Sequence, residues 1–430
     1  RLLLNSKIKR VTILESHSSL GGVWSSTKPD SQLYDGLITN IPMEVMEVHD
    51  FPFFEAGITP ERNSTGSSFV SSKEVEDYLF AFAENFGVIP CIKFDNLVER
   101  VQRRVVSDNG DEWEVHTRSK KNPDEVGTYT FDALIVCNGH FNKVRFPGNI
   151  PLETRKKWKG RILHAKEYKS PNEFSNQTVV VVGARSSGTD IARELSQVAS
   201  QVHVCDKNCP SGDDDESVTE SLERISDGFG WRIKETNLVW RPKLQRIGQN
   251  DSLVYFEDGS QMTADAIIFA TGYDYDFEFF SSDDDIISVV EGKMVQPVYM
   301  QIQHREYPSL FFPGLPFDVA PFPLLDVQAA WISNSIKSGL TKSTNLPDPF
   351  APEDIPDQGL AHSMRHGKQW EYCEYLANEC GLERNKEKCD KAIEIYNYVS
   401  TKRPKLPGAP DDYRYLNFSS GPPKDGQSDF

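Results

Sequence analysis

Four valines followed by a glycine-bearing turn, V-V-V-V-G-A-R-S-S-G-T-D from Val179 to Asp190, constrain this chain more than any other stretch. A short β-branched run suits a strand buried on both faces of a parallel sheet. Gly183, Ala184, Arg185, Ser186, Ser187 and Gly188 form a tight turn. Asp190–Ala199 follows with Ile191, Leu195 and Val198 at helical spacing. Such a turn aims backbone N–H groups and the positive end of a helix at one spot, which suits a pyrophosphate. Gln201–Asp206 then supplies the second strand of a βαβ unit, with Asp206 at its end. The second fingerprint glycine is replaced by Arg185, so the turn alone is equally compatible with a ligand-free βαβ unit.

A chain of 430 residues can bury a large core and should hold two lobes or more. Its 64 acidic against 47 basic residues, with no basic tract, argue against nucleic-acid binding. Asp213–Asp215 and Asp283–Asp285 read as solvated loops rather than metal sites. No run of about 20 apolar residues and no signal peptide is evident, so a soluble, cytoplasmic protein is expected. Seven scattered cysteines without a C-x-x-C pair fit a reducing compartment. His203, Cys205 and Cys209 lack a fourth ligand for zinc, and His362 and His366 read as surface histidines; no metal is expected.

Just ahead of the turn stands W-x-G-x-x-x-H-x-x-x-Y, carried by Trp158, Gly160, His164 and Tyr168. Placed there, the motif resembles the fingerprint of flavin-containing monooxygenases, with Trp158 where that family usually has phenylalanine. The related Baeyer–Villiger enzymes end the motif in Trp-Pro, whereas this chain has Tyr168-Lys169. The resemblance therefore favours heteroatom oxygenation over ketone insertion. Packing between domains is the plainer role for His164 and Tyr168.

The earlier half of the chain carries the flavin side of the same resemblance. Val11–Glu15 reads as a strand ending in an acid, whose carboxylate would accept hydrogen bonds from ribose hydroxyls. The opening Arg1–Lys7 reads as the last turn of a helix. The glycine-rich turn expected about 20 residues before such an acid is absent. We read the chain as beginning inside the domain rather than as having lost its flavin cradle. Gly21 and Gly22 let the backbone approach a ligand, and Val23-Trp24 adds a flat apolar face. With Leu33–Pro42 and Asp50–Phe53, this stretch resembles the family's flavin side. The resemblance places Asn40 beside the flavin ring as the residue acting directly in catalysis, although sequence chemistry alone would make it a turn asparagine before Pro42. Glu15, Gly21, Gly22, Val23, Trp24, Asn40, Ile41, Gly139 and Gln328 are then the expected FAD contacts. Gly139 closes the strand-like stretch Phe131–Gly139, and Gln328 lies in a helix that starts near the flavin. Thr39, Asn40, Tyr168, Lys207 and the turn from Gly183 through Thr189 to Asp190 are the expected NADP contacts.

Asp206 complicates the cofactor choice, because a carboxylate repels the 2′-phosphate of NADPH. It argues for NADH, while Arg185 or Lys207 could rescue NADPH, which the resemblance implies. A-T-G-Y at Ala270–Tyr273 ends a second strand and echoes Leu134–Gly139, so the lobes look like two copies of one scheme. Helices are expected over Ser71–Phe86, Ser363–Cys380 and Asn385–Val399, strands over Val98–Val106 and Trp113–Thr117, and an extended tail beyond Pro404.

The expected fold is α/β, with two Rossmann-like, glutathione-reductase-like dinucleotide lobes, the NADP lobe inserted in the FAD lobe. Its divisions are 1–173 and 266–430 for the FAD lobe and 174–265 for the NAD(P)H lobe. The resemblance implies a monooxygenase that uses NADPH or NADH to reduce FAD. Dioxygen then gives a C4a-hydroperoxyflavin, which oxygenates a small molecule through nucleophilic sulfur or nitrogen. That agrees with nucleotide cradles and an amide but no catalytic triad, since the cofactor carries the difficult chemistry. Two alternatives stand beside it. A flavoprotein reductase of the disulfide type needs a redox-active cysteine pair that is not seen. A non-catalytic scaffold would have lost FAD. Oligomeric state is left open, a homodimer among the options.

Overall fold

The computed structural model describes the chain except residues 5–7, 9, 28–30, 107–109, 210–221, 225–230, 235, 282–284, 342, 344–345, 356, 404–411 and 424–430. The readings at Asp213–Asp215, Asp283 and Asp284 lie outside the described residues.

The valine run forms the strand Thr178–Val182 at the heart of a seven-stranded sheet. It lies between Gln201–Cys205 and Ala266–Phe269, parallel to both. Parallel Leu238–Arg241 and Arg161–His164 extend the sheet on either side. Antiparallel Trp231–Ile233 and then Leu222–Arg224 complete one edge. Period-two alternation sorts the valines onto two cores. Val179 and Val181 pack with Ile191, Leu195, Val202 and Ile268, whereas Val180 and Val182 pack with Trp158, Phe256, Ile267 and Phe269. Strands Arg161–His164 and Ala266–Phe269, outside the 174–265 segment, pair in this sheet.

The helix after the turn spans Ser186–Leu195, starting and ending four residues before the expected Asp190–Ala199. Apolar spacing marks only the buried face, so it misses a first turn made of Ser186, Ser187 and Gly188.

The remainder of the chain is built around several smaller sheets. Ile13–Leu14 pairs in parallel with Ile92–Lys93. Leu134–Ile135 pairs in parallel with Leu310–Phe311, at the edge of a four-stranded sheet. Both edges rest on one core: Leu14 and Leu134 pack against Val101, Trp113, Val298 and Phe312. Antiparallel strands Asn96–Val106, Gly110–Ser119 and Val126–Phe131 cover it. The helix Ser72–Asn85 follows expectation, and Ser71 and Glu74 close a capping box at its start.

Two chain crossings join the sheets. Lys143–Val144 pairs antiparallel with Tyr273–Asp274. Arg145 fastens the pair, donating from Nε to Asp274 at 2.5 Å and from Nη2 to the Tyr273 carbonyl at 2.7 Å.

The C-terminal part corrects four expectations. The helix expected from Ser363 spans Lys368–Glu379, because His366 and Gly367 have φ of 58° and 84°, which breaks a helix. His362 is wholly buried rather than on the surface. Its Nε2 accepts from the Val295 N–H at 2.9 Å and its Nδ1 bonds the Gln301 side chain. Burial holds it neutral, pushing its pKa down to about 3. Beyond Pro404 the tail is not simply extended: Asp412–Tyr415 forms a helical turn, and Tyr413, Leu416 and Phe418 bury themselves against Phe69 and Val399. The last long helix, Lys386–Lys402, runs one turn past its expected end. Among the described residues, no helix is long and apolar enough to cross a membrane.

Candidate active site

The nucleotide turn is held together by two close approaches. Gly183 has φ +104°, and a Cβ there would sit 2.6 Å from the Ala270 carbonyl oxygen. A Cβ on Gly188 would sit 1.9 Å from the Gly183 carbonyl oxygen. The helix therefore packs directly on the strand, as the third fingerprint glycine permits. Arg185 is its N-cap and supplies no side-chain cap, so the first N–H groups, on Ser186, Ser187 and Gly188, lack a capping acceptor from it. Thr189 is spent locally, its hydroxyl donating to the Ser186 carbonyl at 2.9 Å. Asp206 ends its strand beside the turn, where it accepts from Ala184 N–H at 3.2 Å and Asn208 N–H at 2.9 Å. Lys207 is exposed next to it. A pyrophosphate fits this cradle, with negative charge favoured at the helix start.

On the facing side, Gly21 and Gly22 have positive φ, and Val23 is exposed. Glu15 accepts from His17 N–H at 2.9 Å. Gly139, with φ +72°, opens onto free space where a side chain would stand. Trp24 is half-buried. These residues fit one side of a flavin. The glycine-rich turn for its pyrophosphate is not among residues 1–430.

The two sides meet at Asn40. Its Nδ2 donates to Ser186 Oγ, in the first turn of the nucleotide helix, at 3.4 Å. Arg185 lies 3.9 Å from Asp318 and over the Phe317 ring. Neighbouring Thr39 and Ile41 are buried. Thr39 exchanges bonds with Val70 through its N–H at 2.9 Å and its hydroxyl at 3.1 Å, so it supports Asn40 rather than facing solvent. Gln328 is fully buried: it accepts from Gly314 N–H at 2.8 Å and donates to Tyr372 at 2.8 Å. It fixes the Gly314 turn, and both ends of its amide are already engaged.

The W-G-H-Y fingerprint is a clip. The Trp158 indole donates to the Leu253 carbonyl at 3.0 Å and lies so close to Gly160 that a Cβ there would meet its ring at 2.1 Å. Tyr168 is wholly buried and donates to Glu194 at 2.9 Å. Burial pushes the Glu194 carboxyl up to about 7. His164 bonds the Gly272 carbonyl through Nε2 at 3.1 Å and accepts from Lys166 N–H through Nδ1 at 3.2 Å. It thereby anchors the end of the A-T-G-Y strand.

That pattern needs neutral imidazole, and burial pushes its pKa down from 6.5 to about 4. Below about 6.5 the unfolded chain takes up a proton that the folded chain refuses. The stability tied to neutral His164 is full above that pH and is lost as pH falls toward about 4. We expect the urea midpoint of the wild-type chain to fall more steeply between about pH 7 and about pH 5 than that of His164→Gln. Parallel profiles would contradict this.

Three contributors had no visible sequence signal. Glu76, buried within the helix Ser72–Asn85, accepts from Ser26 N–H at 3.1 Å and Ser26 Oγ at 2.9 Å, steadying the Gly21–Trp24 turn. Arg403 and Arg414 reach the site from the C-terminal part. His203, on a central strand, is buried beside Arg241 and Gln201.

The family model described as Flavin-binding monooxygenase-like matches residues 5–211 and 218–379. The Arabidopsis thaliana protein named flavin-containing monooxygenase FMO GS-OX-like 2 is 31% identical over 426 residues, spanning 91% of this chain and 83% of that protein. Among solved structures, S-allyl-L-cysteine S-oxygenase from Allium sativum superposes with a TM-score of 0.74 at 29% identity, covering 94% of this chain and 90% of the other. Tmm from Pelagibacter sp. strain HTCC7211 shares the fold, with a TM-score of 0.72 at 20% identity and coverage of 93% and 85%.

Proposed function

The chain belongs to the flavin-binding monooxygenase-like family, and on that premise we propose that it uses NADPH or NADH and dioxygen to place one oxygen atom on a soft nucleophile, sulfur foremost. The relative from Allium sativum, named for S-oxygenation, supports sulfur over nitrogen. The observation that carries the reading is Asn40 against Ser186, where the flavin-side loop touches the first turn of the nucleotide helix. Bound flavin supplies the redox and dioxygen chemistry.

The protein's own part is binding, orientation and exclusion of water. Gly183–Gly188 and the helix start receive the nicotinamide pyrophosphate. Gly21, Gly22, Trp24 and Gly139 line the flavin side, with Glu15 for a ribose. The Asn40 amide holds the reacting oxygen by a hydrogen bond. The division proposed is 1–173 and 266–430 for the flavin lobe and 174–265 for the nicotinamide lobe, whose sheet also takes in strands Arg161–His164 and Ala266–Phe269 from outside that segment.

Asp206 and Lys207 set cofactor choice. The carboxylate beside Ala184 N–H repels a 2′-phosphate, so preference for NADPH is weak. An Asp206→Ser variant is expected to raise the NADPH/NADH ratio of kcat/KM by about tenfold, or about 1.4 kcal/mol. An unaltered ratio would remove Asp206 from this role. The activity itself is tested by incubating the flavin-loaded protein with NADPH and an alkyl cysteine sulfide in air. One sulfoxide per nicotinamide oxidised is expected, and nicotinamide oxidation without sulfoxide or N-oxide would overturn the reading.

A further inference from the structure

The C-terminal part touches the site at two points. Arg403, which ends the helix Lys386–Lys402, donates from Nη2 to the main-chain carbonyl of Asn40 at 2.9 Å. Arg414 donates from its own Nη2 to both oxygens of Asp190, at 2.9 and 3.1 Å. Asp190 and Ser186 are four apart on the nucleotide helix and so share a face. Ser186 is the residue that the Asn40 amide touches.

The links close into a ring. The C-terminal segment grips the helix through Arg414, the helix meets the Asn40 side chain through Ser186, and the Asn40 carbonyl returns to the C-terminal part through Arg403. Side bonds brace it. Tyr34 donates to Asp190 at 3.4 Å, and Arg193 lies 3.2 Å from the same carboxylate. Ser67 donates to the Arg414 carbonyl at 2.8 Å, and Ser68 bonds both Leu416 and Phe418. Val70, two residues on, carries Thr39.

We propose that Arg403 and Arg414 are positioning residues, which hold Asn40 at the first turn of the nucleotide helix. This rests on the reading of Asn40 as the residue that steadies the reacting oxygen. Arg403 fixes the direction of the Asn40 peptide, and hence of its side chain. Arg414 fixes the helix that Asn40 meets. Both members of the Arg414–Asp190 pair are more than nine-tenths buried, so water competes poorly with the contact. Fluctuation of either arginine would swing the amide away and let the oxidising equivalent drain to hydrogen peroxide.

Two measurements test this on the full chain. In the flavin-free protein, hydrogen exchange of the peptide containing Asn40 and Ile41 should quicken about tenfold in Arg403→Met and return toward wild type in Arg403→Lys. Exchange of the Thr178–Val182 strand should stay unchanged in both. In the flavin-loaded protein, Arg403→Met should raise the share of NADPH electrons lost as hydrogen peroxide several-fold, with KM for NADPH unchanged.

Arg414→Met should instead loosen the first turn of the nucleotide helix and weaken NADP⁺ binding about fivefold. Because one nitrogen makes both bonds, Arg414→Lys should restore most of it, and it serves if the methionine variant fails to fold. A uniform rise in exchange with unaltered peroxide leakage would show a merely structural role and overturn the proposal. If Asn40→Ala raises leakage but Arg403→Met does not, the positioning claim alone fails. If Asn40→Ala leaves leakage unaltered, the reading beneath it fails first.

Discussion

Alanine at position 188 is expected to weaken nicotinamide nucleotide binding by about tenfold or more and to lower the melting temperature. The added Cβ would lie 1.9 Å from the Gly183 oxygen, 2.9 Å from the Gly183 carbon and 3.3 Å from the Ala270 Cβ. None of these is the far end of a flexible side chain that could swing aside. The helix must lift from the strand, and its N–H groups leave the place where the pyrophosphate sits. Overpacking of this kind costs about 1–3 kcal/mol, and each 1.4 kcal/mol is about tenfold in affinity. Gly22 is an instructive contrast. A Cβ there meets nothing within 4 Å, and its φ of +59° costs a substituted residue only about 1–2 kcal/mol. Titration of NADP⁺ into Gly188→Ala by calorimetry decides the matter; wild-type affinity would mean that the close approach does not shape the cradle.

The second large effect is chemical. Asn40→Ala should retain its fold, because it loses one 3.4 Å side-chain contact while its main chain keeps the bond from Arg403. Stability should shift by no more than about 0.5 kcal/mol. Oxygen transfer should suffer far more. Loss of a preorganised hydrogen-bond donor in a water-excluded site typically costs about a hundredfold or more in rate. We expect sulfoxide formation to fall by that order, while nicotinamide oxidation continues and hydrogen peroxide appears in its place. Unchanged turnover together with unchanged peroxide release would sink the assignment.

The parts that repeat at short range were legible in the chain. Alternating valines, the glycines at 183 and 188, and the Ser71–Glu74 cap all act within a few residues, so composition and spacing reveal them. Apolar spacing does not reach the start of the nucleotide helix, because its first turn is polar and leaves no apolar stripe. The burial of His362 is illegible for a related reason: a polar side chain can be buried when backbone and amide partners satisfy both nitrogens, and those partners lie 67 and 61 residues away. Arg403 and Asn40 are 363 residues apart, and Arg414 and Asp190 are 224 apart. Nothing periodic marks such pairs, since only the closed fold brings them together. Gln328 stands in a legible motif, but the bonds of its amide to Gly314 and Tyr372, 14 and 44 residues away, leave no mark in the sequence.

The central claim is that this chain brings a nicotinamide nucleotide and a flavin together to activate oxygen. Its most direct test is an anaerobic absorbance titration of the protein loaded with FAD. The protein is expected to hold yellow flavin, to be bleached by NADPH or NADH, and to regain its colour in air with an added sulfide as sulfoxide forms. Failure to hold flavin, or flavin that neither nucleotide bleaches, would contradict it.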